Sequence, residues 1–190
     1  MAQGTLFVLS GPSGVGKGTV LEHLFADYDG INYSVSMTTR DPRPGEVEGE
    51  DYFFVGRSKF EKMIDNDELI EYACVHGNYY GTPRHYVEKT LHRGQDIILE
   101  IDIQGANQVR ELFPEAVFIF LQPPSLQALD KRLQKRGSES PEAREIRLEN
   151  ARKEMAEVDK YDYVILNDKL DKAVEKLKNV IELEKNRRKK

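Results

Sequence analysis

Apolar residues along the chain fall into short continuous runs that alternate with stretches of helical spacing. Residues 5–10 form the first run, rich in apolar and β-branched side chains, and it stops at glycines as a strand buried on both faces would. Residues 17–28 repeat apolar side chains at helical spacing, which predicts a helix directly after a glycine-rich turn. Further apolar runs at 96–102, 116–121 and 163–167 alternate with helical patterns. The alternation predicts an α/β fold in which helices cover a parallel sheet.

Two stretches interrupt this alternation. Residues 34–87 are rich in Gly, Tyr, Arg and Glu and contain short strand-like pieces, which predicts an inserted lobe of mixed α/β structure. Residues 125–136 and 141–158 form two arginine-rich helical patterns joined by a short polar loop, which predicts a helical lid. We therefore predict three parts. The three-layer core comprises residues 1–33, 88–123 and 159–190, the lobe comprises 34–87, and the lid comprises 124–158.

Composition narrows the class of protein. A hydrophobic share of 39% beside 32% charged residues is typical of a globular chain. We find no apolar run near the roughly 20 residues of a membrane-spanning helix and no basic-then-apolar leader, so we expect a cytoplasmic protein without a membrane partner. The one cysteine, Cys74, fits a reducing compartment and is expected to be a small buried hydrophobe. The net charge of −5 argues against nucleic acid as a partner.

A phosphate-binding motif, G-x-x-x-x-G-K, runs from Gly11 to Lys17 between the first predicted strand and helix. Its glycines allow backbone N–H groups to converge on phosphate oxygens, and the helix N-terminus adds a favourable dipole. Lys17 is expected to reach the β- and γ-phosphates of a nucleoside triphosphate. The alternative is a glycine-rich turn that binds nothing. The residues predicted to bind ATP here are Gly11, Pro12, Ser13, Gly14, Val15, Gly16, Lys17, Gly18 and Thr19.

The motif departs from its usual form at the metal-binding position. Gly18 stands where a Ser or Thr hydroxyl normally contacts Mg²⁺, and the hydroxyl follows at Thr19. We expect Mg²⁺ as the cofactor, held mainly by phosphates and water, with Thr19 and Glu100 as its candidate protein ligands, directly or through water. Glu100 and Asp102 end a buried-looking strand, where carboxylates commonly orient hydrated magnesium. Alternatively, they cap the helix that follows.

Two arginines in the predicted lobe are candidates for holding a second phosphate. Arg40 and Arg43 each lie near a proline that stiffens the loop and lowers the cost of ordering it. Planar guanidinium groups bind phosphate through paired hydrogen bonds. Taken alone, two loop arginines are more often solvated surface groups.

The longer pattern around these arginines resembles the guanylate kinase family. The motif T-T-R-x-x-R-x-x-E-x-x-G-x-x-Y-x-F stands complete from Thr38 to Phe54, and the resemblance continues at residues 69–72, 77–82, 99–105 and 161–168. It implies transfer of the γ-phosphoryl group of ATP to GMP, and by extension dGMP, giving ADP and GDP with magnesium, on a core with a GMP-binding lobe and a lid. In-line transfer without a covalent intermediate is expected.

The resemblance also implies roles for individual residues. Arg40, Arg43, Tyr52 and Tyr80 would hold the GMP phosphate, and Ser36, Glu71, Thr82 and Asp102 would recognise the guanine. Guanine offers N1–H and an exocyclic amine side by side, which one carboxylate can accept together. Adenine presents a bare acceptor at N1 and would leave a buried carboxylate unpaired.

Arginines of the predicted lid are candidates for stabilising the moving phosphoryl group. Arg132 and Arg136 lie four residues apart and share a helix face, and Arg147 lies on the next predicted helix. The resemblance places these arginines on the ATP phosphates, whereas a surface of Glu–Arg pairs explains other lid arginines better. We therefore predict Lys17, Arg40, Arg132 and Arg147 as catalytic, and we assign Arg136 and Asn167 to the ATP site.

Two alternatives to this function stay open at the level of sequence. A related kinase could act on another monophosphate, although the predicted guanine-recognising set argues against it. A non-catalytic guanylate-kinase-like module that binds proteins would be expected to lack the phosphate loop or the acceptor arginines. The expected assembly is a monomer or a homodimer.

Overall fold

The computed structural model describes residues 3–75, 77–135 and 141–188. Within them, the strands are β1 Leu6–Ser10, β2 Asn32–Ser34, β3 Met37–Thr38, β4 Phe53–Phe54, β5 Leu69–Val75, β6 Asn78–Pro83, β7 Ile97–Glu100, β8 Val117–Gln122 and β9 Tyr163–Leu166. The helices are α1 Lys17–Asp27, α2 Arg57–Asp65, α3 Arg84–His92, α4 Ile103–Leu112, α5 Leu126–Lys135, α6 Pro141–Met155 and α7 Leu170–Arg188, with a 3₁₀ turn at Val158–Lys160.

The strands form two sheets. A five-stranded parallel sheet has the order β2-β7-β1-β8-β9 and is flanked by helices, which confirms the predicted α/β class. Its strands β1 and β8 are buried at nearly every position, as continuous apolar runs in a covered parallel sheet should be. A four-stranded mixed sheet has the order β4-β3-β6-β5, with β3 parallel to β4 and antiparallel to β6.

The chain divides into two compact units, and unit 1 comprises residues 1–7 and 30–116. It contains the whole four-stranded sheet, in which β5 and β6 pair as antiparallel neighbours with Glu71 opposite Thr82. The buried ring of Phe60 on α2 stacks on Tyr79 of β6, with 5.2 Å between ring centroids. Helix α4 packs against β5. This packing gives unit 1 an apolar interior beneath its polar loops.

Unit 2 comprises residues 8–29 and 117–190. In it, α1 packs against α7, and β8 and β9 pair in parallel. Helices α5 and α6 pack through an apolar cluster of Leu129, Leu133, Leu148 and Ala151. The two helices predicted for the lid are therefore present, and they bury apolar side chains against each other. The division of the chain into core, lobe and lid stays a prediction.

Most elements begin and end within a few residues of their predicted limits, but one helix end and the burial of one side chain differ from the prediction. The predicted helix over 141–158 ends at Met155, and a 3₁₀ turn follows. The expectation that Cys74 is buried is wrong, because Cys74 is exposed on β5. Burial alternates along that strand, and Cys74 falls on its exposed face together with Tyr72.

None of the helices within the described residues is long and apolar enough to cross a membrane.

Candidate active site

The predicted phosphate loop lies between β1 and α1, in the strand–loop–helix context that the motif requires. Gly16 precedes the helix with φ +100°, a left-handed conformation that glycine adopts without strain. A Cβ at this position would lie 2.9 Å from the side-chain nitrogen of Asn167. Both the conformation and the space therefore require glycine here, and the helix N-terminus is left open for an anion.

Lys17, the predicted catalytic lysine, folds back over its own loop. Its Nζ donates a hydrogen bond of 2.7 Å to the carbonyl oxygen of Gly11 at the start of the loop. The side chain is half-buried, so its positive charge is held beside the loop. This arrangement concentrates positive charge and backbone donors in one small region of unit 2.

The structure brings three other predicted residues to the loop. The amide of Asn167, which is buried, donates to the carbonyl oxygen of Val15 at 2.8 Å. Arg132 donates to the same oxygen at 2.8 Å and to the carbonyl of Asn167 at 2.7 Å. Arg147 on α6 reaches the hydroxyl of Ser13 at 3.5 Å. Asn167 and Arg132 thus brace the loop backbone, and Arg136 lies outside the described residues.

The predicted magnesium ligands lie in different units. Thr19 is exposed in the first turn of α1, and Glu100 at the end of β7 accepts a hydrogen bond of 3.5 Å from the hydroxyl of Tyr33. Burial, together with the charge of Glu100, raises the pKa of Tyr33 far above its ordinary value. In the part of the chain that the structure describes, no three His, Cys, Asp or Glu side chains are grouped as a metal cage.

A cluster around Arg40 forms the first half of the candidate site in unit 1. Two nitrogens of Arg40 meet the two carboxylate oxygens of Glu46 at 3.0 and 2.9 Å, and its Nε donates to the hydroxyl of Tyr80 at 3.2 Å. The guanidinium lies 5.6 Å from the ring centroid of Tyr52. Arg43 is exposed, and its backbone N–H donates to Glu46 at 2.7 Å. Arg40 therefore contacts Tyr52, Tyr80 and Glu46, and Glu46 connects the backbone of Arg43 to the same cluster.

Hydrogen bonds between Arg40 and Glu46 keep both side chains charged, because they outweigh the effect of burial on each pKa. Burial alone would lower the pKa of Arg40, but its hydrogen bonds with Glu46 and Tyr80 raise the pKa above the ordinary value. Burial of Glu46 is likewise outweighed by its hydrogen bonds from Arg40 and the Arg43 backbone, which lower its pKa. Burial, assisted by the charge of Glu100, raises the pKa of Tyr52 to about 12. At neutral pH the cluster therefore carries the Arg40 cation and the Glu46 carboxylate as an ion pair, beside the neutral phenol of Tyr52.

Glu71 on β5 is the centre of the second half. Its side chain is buried, with 4% of the residue exposed, and it accepts a hydrogen bond of 2.6 Å from the hydroxyl of Thr82 on β6. Burial raises the pKa of Glu71 to about 7, against the hydrogen bond from Thr82 and with a further contribution from the charge of Asp102. A buried carboxyl group with a shifted pKa is a common mark of a functional site.

The remaining predicted guanine contacts occupy unit 1 as well. Ser36 is buried just before β3. Asp102 is the N-cap of α4, and its carboxylate accepts a hydrogen bond of 2.8 Å from the backbone N–H of Gly105. The capping alternative considered for Asp102 therefore describes its contact in this structure, and a contact between Asp102 and guanine stays a prediction.

Two residues of the site had no role assigned from the sequence. Glu46 orients Arg40, and Tyr33 donates to Glu100. Glu46 stands in the long motif from Thr38 to Phe54, which was a usable signal. Tyr33 carries no such signal, because its partner lies 67 residues away along the chain.

Comparisons with known proteins agree on one family. The sequence model of the guanylate kinase family matches residues 3–184. A protein named guanylate kinase from Oceanobacillus iheyensis is 57% identical over 96% of this chain and 88% of its own length. Another of that name from Streptococcus thermophilus is 54% identical over 96% and 88%. The crystal structure of guanylate kinase from Anaplasma phagocytophilum matches with a TM-score of 0.81 at 36% identity, covering 96% of this chain and 87% of that one.

Proposed function

Because this chain belongs to the guanylate kinase family, we propose that it binds the phosphates of ATP at the loop of unit 2 and GMP through side chains of unit 1. The chain is a kinase that uses ATP to phosphorylate GMP, giving ADP and GDP. The residue assignments below are our proposal. The buried carboxyl of Glu71 is the observation that carries the choice of guanine over adenine.

The ATP phosphates are assigned to residues 11–19. Backbone N–H groups and the N-terminus of α1 supply donors and a favourable dipole, and Lys17 supplies a full positive charge. Arg147, whose guanidinium already reaches Ser13, adds positive charge at the same loop. Arg132 keeps the loop backbone in shape through Val15 and Asn167 and brings a further charge to it. Arg136 is assigned to the same site from the sequence alone.

The GMP phosphate is assigned to Arg40, Arg43, Tyr52 and Tyr80. Glu46 holds the guanidinium of Arg40 in a fixed orientation, which lowers the entropy lost when a phosphate binds. Burial raises the pKa of Tyr52 to about 12, so its hydroxyl stays protonated at neutral pH, and the hydroxyls of Tyr52 and Tyr80 can both donate to phosphate oxygens. Arg43 is exposed, so its guanidinium is accessible to a phosphate dianion.

The guanine base is assigned to Glu71, Thr82, Ser36 and Asp102. When ionised, the carboxylate of Glu71 can accept from N1–H and the exocyclic amine of guanine, while the Thr82 hydroxyl donates to its Oε1 and holds it in place. Adenine would set an acceptor against that carboxylate, and leaving a buried charged group unpaired costs several kcal/mol, typically about 2 to 4. This difference gives the site its base selectivity.

Magnesium is expected to enter with ATP. The oxygen donors of Thr19 and Glu100 suit Mg²⁺ chemically, but the described residues contain no cage of three acidic or imidazole side chains, so phosphates and water would supply most of its ligands. When bound, the ion neutralises phosphate charge. Lys17, Arg132 and Arg147 do the same from the protein side, and Arg40 holds the acceptor phosphate, so that in-line transfer needs no covalent intermediate.

An ADP-release assay with ATP and magnesium tests the assignment, with GMP, dGMP, AMP, CMP and UMP offered separately. We expect turnover with GMP, a rise of about 10- to 100-fold in the KM for GMP in Glu71→Ala, and a fall in kcat of about 1000-fold or more in Lys17→Ala. Lys172→Ala, on an exposed lysine of α7, is the matched control. A folded protein that turns over no monophosphate would support the alternative, a protein-binding module.

The cytoplasmic location and the assembly as a monomer or a homodimer stay predictions.

A further inference from the structure

One side of α4 lies against β5, the strand that carries Glu71. Asp102, Gly105 and Gln108 follow one another at intervals of three along the start of this helix, a spacing that places neighbours on the same side. Asp102 caps the helix through the N–H of Gly105. The other two residues contact β5 itself, and neither has a role in the assignments above.

Gly105 leaves the space that the Glu71 carboxylate occupies. A Cβ on Gly105 would lie 2.2 Å from Oε2 of Glu71 and 2.9 Å from its carboxyl carbon, closer than real Cβ contacts come. On its other side, Oε1 of the same carboxylate accepts the hydrogen bond from Thr82 at 2.6 Å. The carboxylate is therefore confined between the backbone of α4 and the hydroxyl on β6, and any side chain at position 105 would displace it.

Gln108 holds the backbone of β5 one residue further along. Its amide oxygen accepts from the N–H of Tyr72 at 3.1 Å, and its amide nitrogen donates to the carbonyl of Tyr72 at 2.8 Å. Strand β5 is the last strand of its sheet, so these hydrogen bonds stand where a further strand would pair. The side-chain amide thus fixes β5 against α4 next to Glu71.

We propose that Gly105 and Gln108 are specificity-positioning residues, which fix the Glu71 carboxylate where it meets the guanine base. Gln108 sets the position of β5, and Gly105 sets the position of the carboxylate on it. Neither residue touches the substrate, and both act through Glu71. The proposal rests on the proposed function, because it takes Glu71 as the acceptor for guanine.

A double-mutant cycle tests this dependence on Glu71. The KM and kcat for GMP, and the KM for ATP, are measured for the original protein, Gly105→Ala, Glu71→Ala and the double variant. We expect Gly105→Ala to raise the KM for GMP by about tenfold and to change the KM for ATP less than about twofold. In the Glu71→Ala background the same change should add less than about twofold, because the carboxylate that the new Cβ displaces is absent.

Base selectivity supplies a readout that a merely structural role would not move. Inosine monophosphate keeps N1–H but lacks the exocyclic amine, so the ratio of kcat/KM between GMP and this analogue measures recognition of the amine. We expect the ratio to fall in Gly105→Ala. Gly56→Ala is the matched control, since a Cβ at Gly56 would meet nothing within 4 Å and φ there is −67°.

The outcomes separate this proposal from the one it rests on. An unchanged KM for GMP in Glu71→Ala overturns the assignment of Glu71 and this proposal with it. A large effect of Glu71→Ala combined with no effect of Gly105→Ala, or with an equal effect of Gly105→Ala in both backgrounds, overturns this proposal alone.

Where Gly105→Ala does not fold, the same cycle with Gln108→Ala decides. There we expect a rise of about threefold or more in the KM for GMP that disappears in the Glu71→Ala background. Glu111→Ala, exposed on the same helix, is the control.

Discussion

The phosphate loop of unit 2 and the acceptor residues of unit 1 are built in opposite ways. At the loop, the side chains of Asn167, Arg132 and Lys17 all donate to backbone carbonyls, so side chains hold the backbone in shape. In unit 1, Arg40 is held by Glu46 and Tyr80, and Glu71 is held by Thr82, so the side chains that recognise the substrate are held by other side chains. The contrast follows from what each region recognises.

A triphosphate chain is common to every nucleoside triphosphate, and backbone N–H groups together with positive side chains bind it without reading the base. A purine base differs from another purine base by single donors and acceptors, and side chains held in fixed positions, such as Glu71 and Thr82, can tell them apart. Changes in unit 2 should therefore act on ATP, and changes in unit 1 should act on GMP. Three further predictions, in order of expected size, test first the protonation of Glu71 and then that division.

Glu71→Gln should increase stability at high pH. Burial raises the pKa of Glu71 from 4.5 to about 7, so the folded state holds this proton more tightly than the unfolded chain does. The resulting stabilisation is complete below about pH 4.5 and is lost as the pH rises to about 7. The variant stays uncharged, so its free energy of unfolding should exceed that of the original protein by on the order of 3 kcal/mol above pH 7.

Urea unfolding at pH 4.5, 6 and 8 measures this difference. Asp102 is the charged group that acts on Glu71 from α4, and Asp102→Asn should reduce the difference in part. Glu61→Gln, on an exposed side chain of α2, is the control and should show no comparable dependence on pH. A stability difference of the same size at all three values would contradict the prediction.

Asn167→Ala should weaken ATP binding. The change removes a buried donor to the carbonyl of Val15 and opens the space beside Gly16, so the loop loses part of its support. We expect the KM for ATP to rise by about tenfold while the KM for GMP changes by less than about twofold. Asp168→Ala, at the exposed next position, is the control. Equal effects on both substrates would break the division between the two regions.

Glu46→Gln should have a smaller effect, confined to GMP. The Arg40–Glu46 pair is mostly buried, with side chains 14% and 16% exposed, whereas those of the Arg57–Glu61 pair are 60% and 48% exposed. We expect a loss of about 1 kcal/mol in stability and a rise of about threefold in the KM for GMP. The matched change Glu61→Gln should cost less than about 0.5 kcal/mol. Thermal unfolding and steady-state kinetics measure both, and indistinguishable results for the two variants would count against the orienting role of Glu46.

Local patterns in the sequence predicted the parts of the fold that depend on local physics. The motif from Gly11 to Lys17 lies between β1 and α1 as expected, because glycine spacing and apolar periodicity both act over a few residues. Arg132 and Arg147 both reach the phosphate loop, and their expected contact with the ATP phosphates stays a prediction.

Such local patterns could not predict contacts between residues that are far apart in the sequence. Asn167 and Val15 were both assigned to the ATP site, but no local pattern indicates the hydrogen bond between them across 152 residues of sequence. Gly105 lies against Glu71 only because α4 packs on β5, and an isolated glycine in a helical pattern carries no sign of its partner. Strands β3 and β4 have two residues each, too few for an alternating pattern to appear. The exposed position of Cys74 likewise depends on which face of β5 meets α4.

That exposed cysteine gives the protein a built-in place for a reporter group. Cys74 is the one cysteine in the sequence, and it lies on β5 three positions after Glu71 and on the face opposite to it. A thiol-reactive fluorophore or nitroxide would attach at a single known point, on the outer side of the strand that carries the buried carboxylate. Optical or magnetic resonance signals from that strand can therefore be recorded without first adding or removing any cysteine.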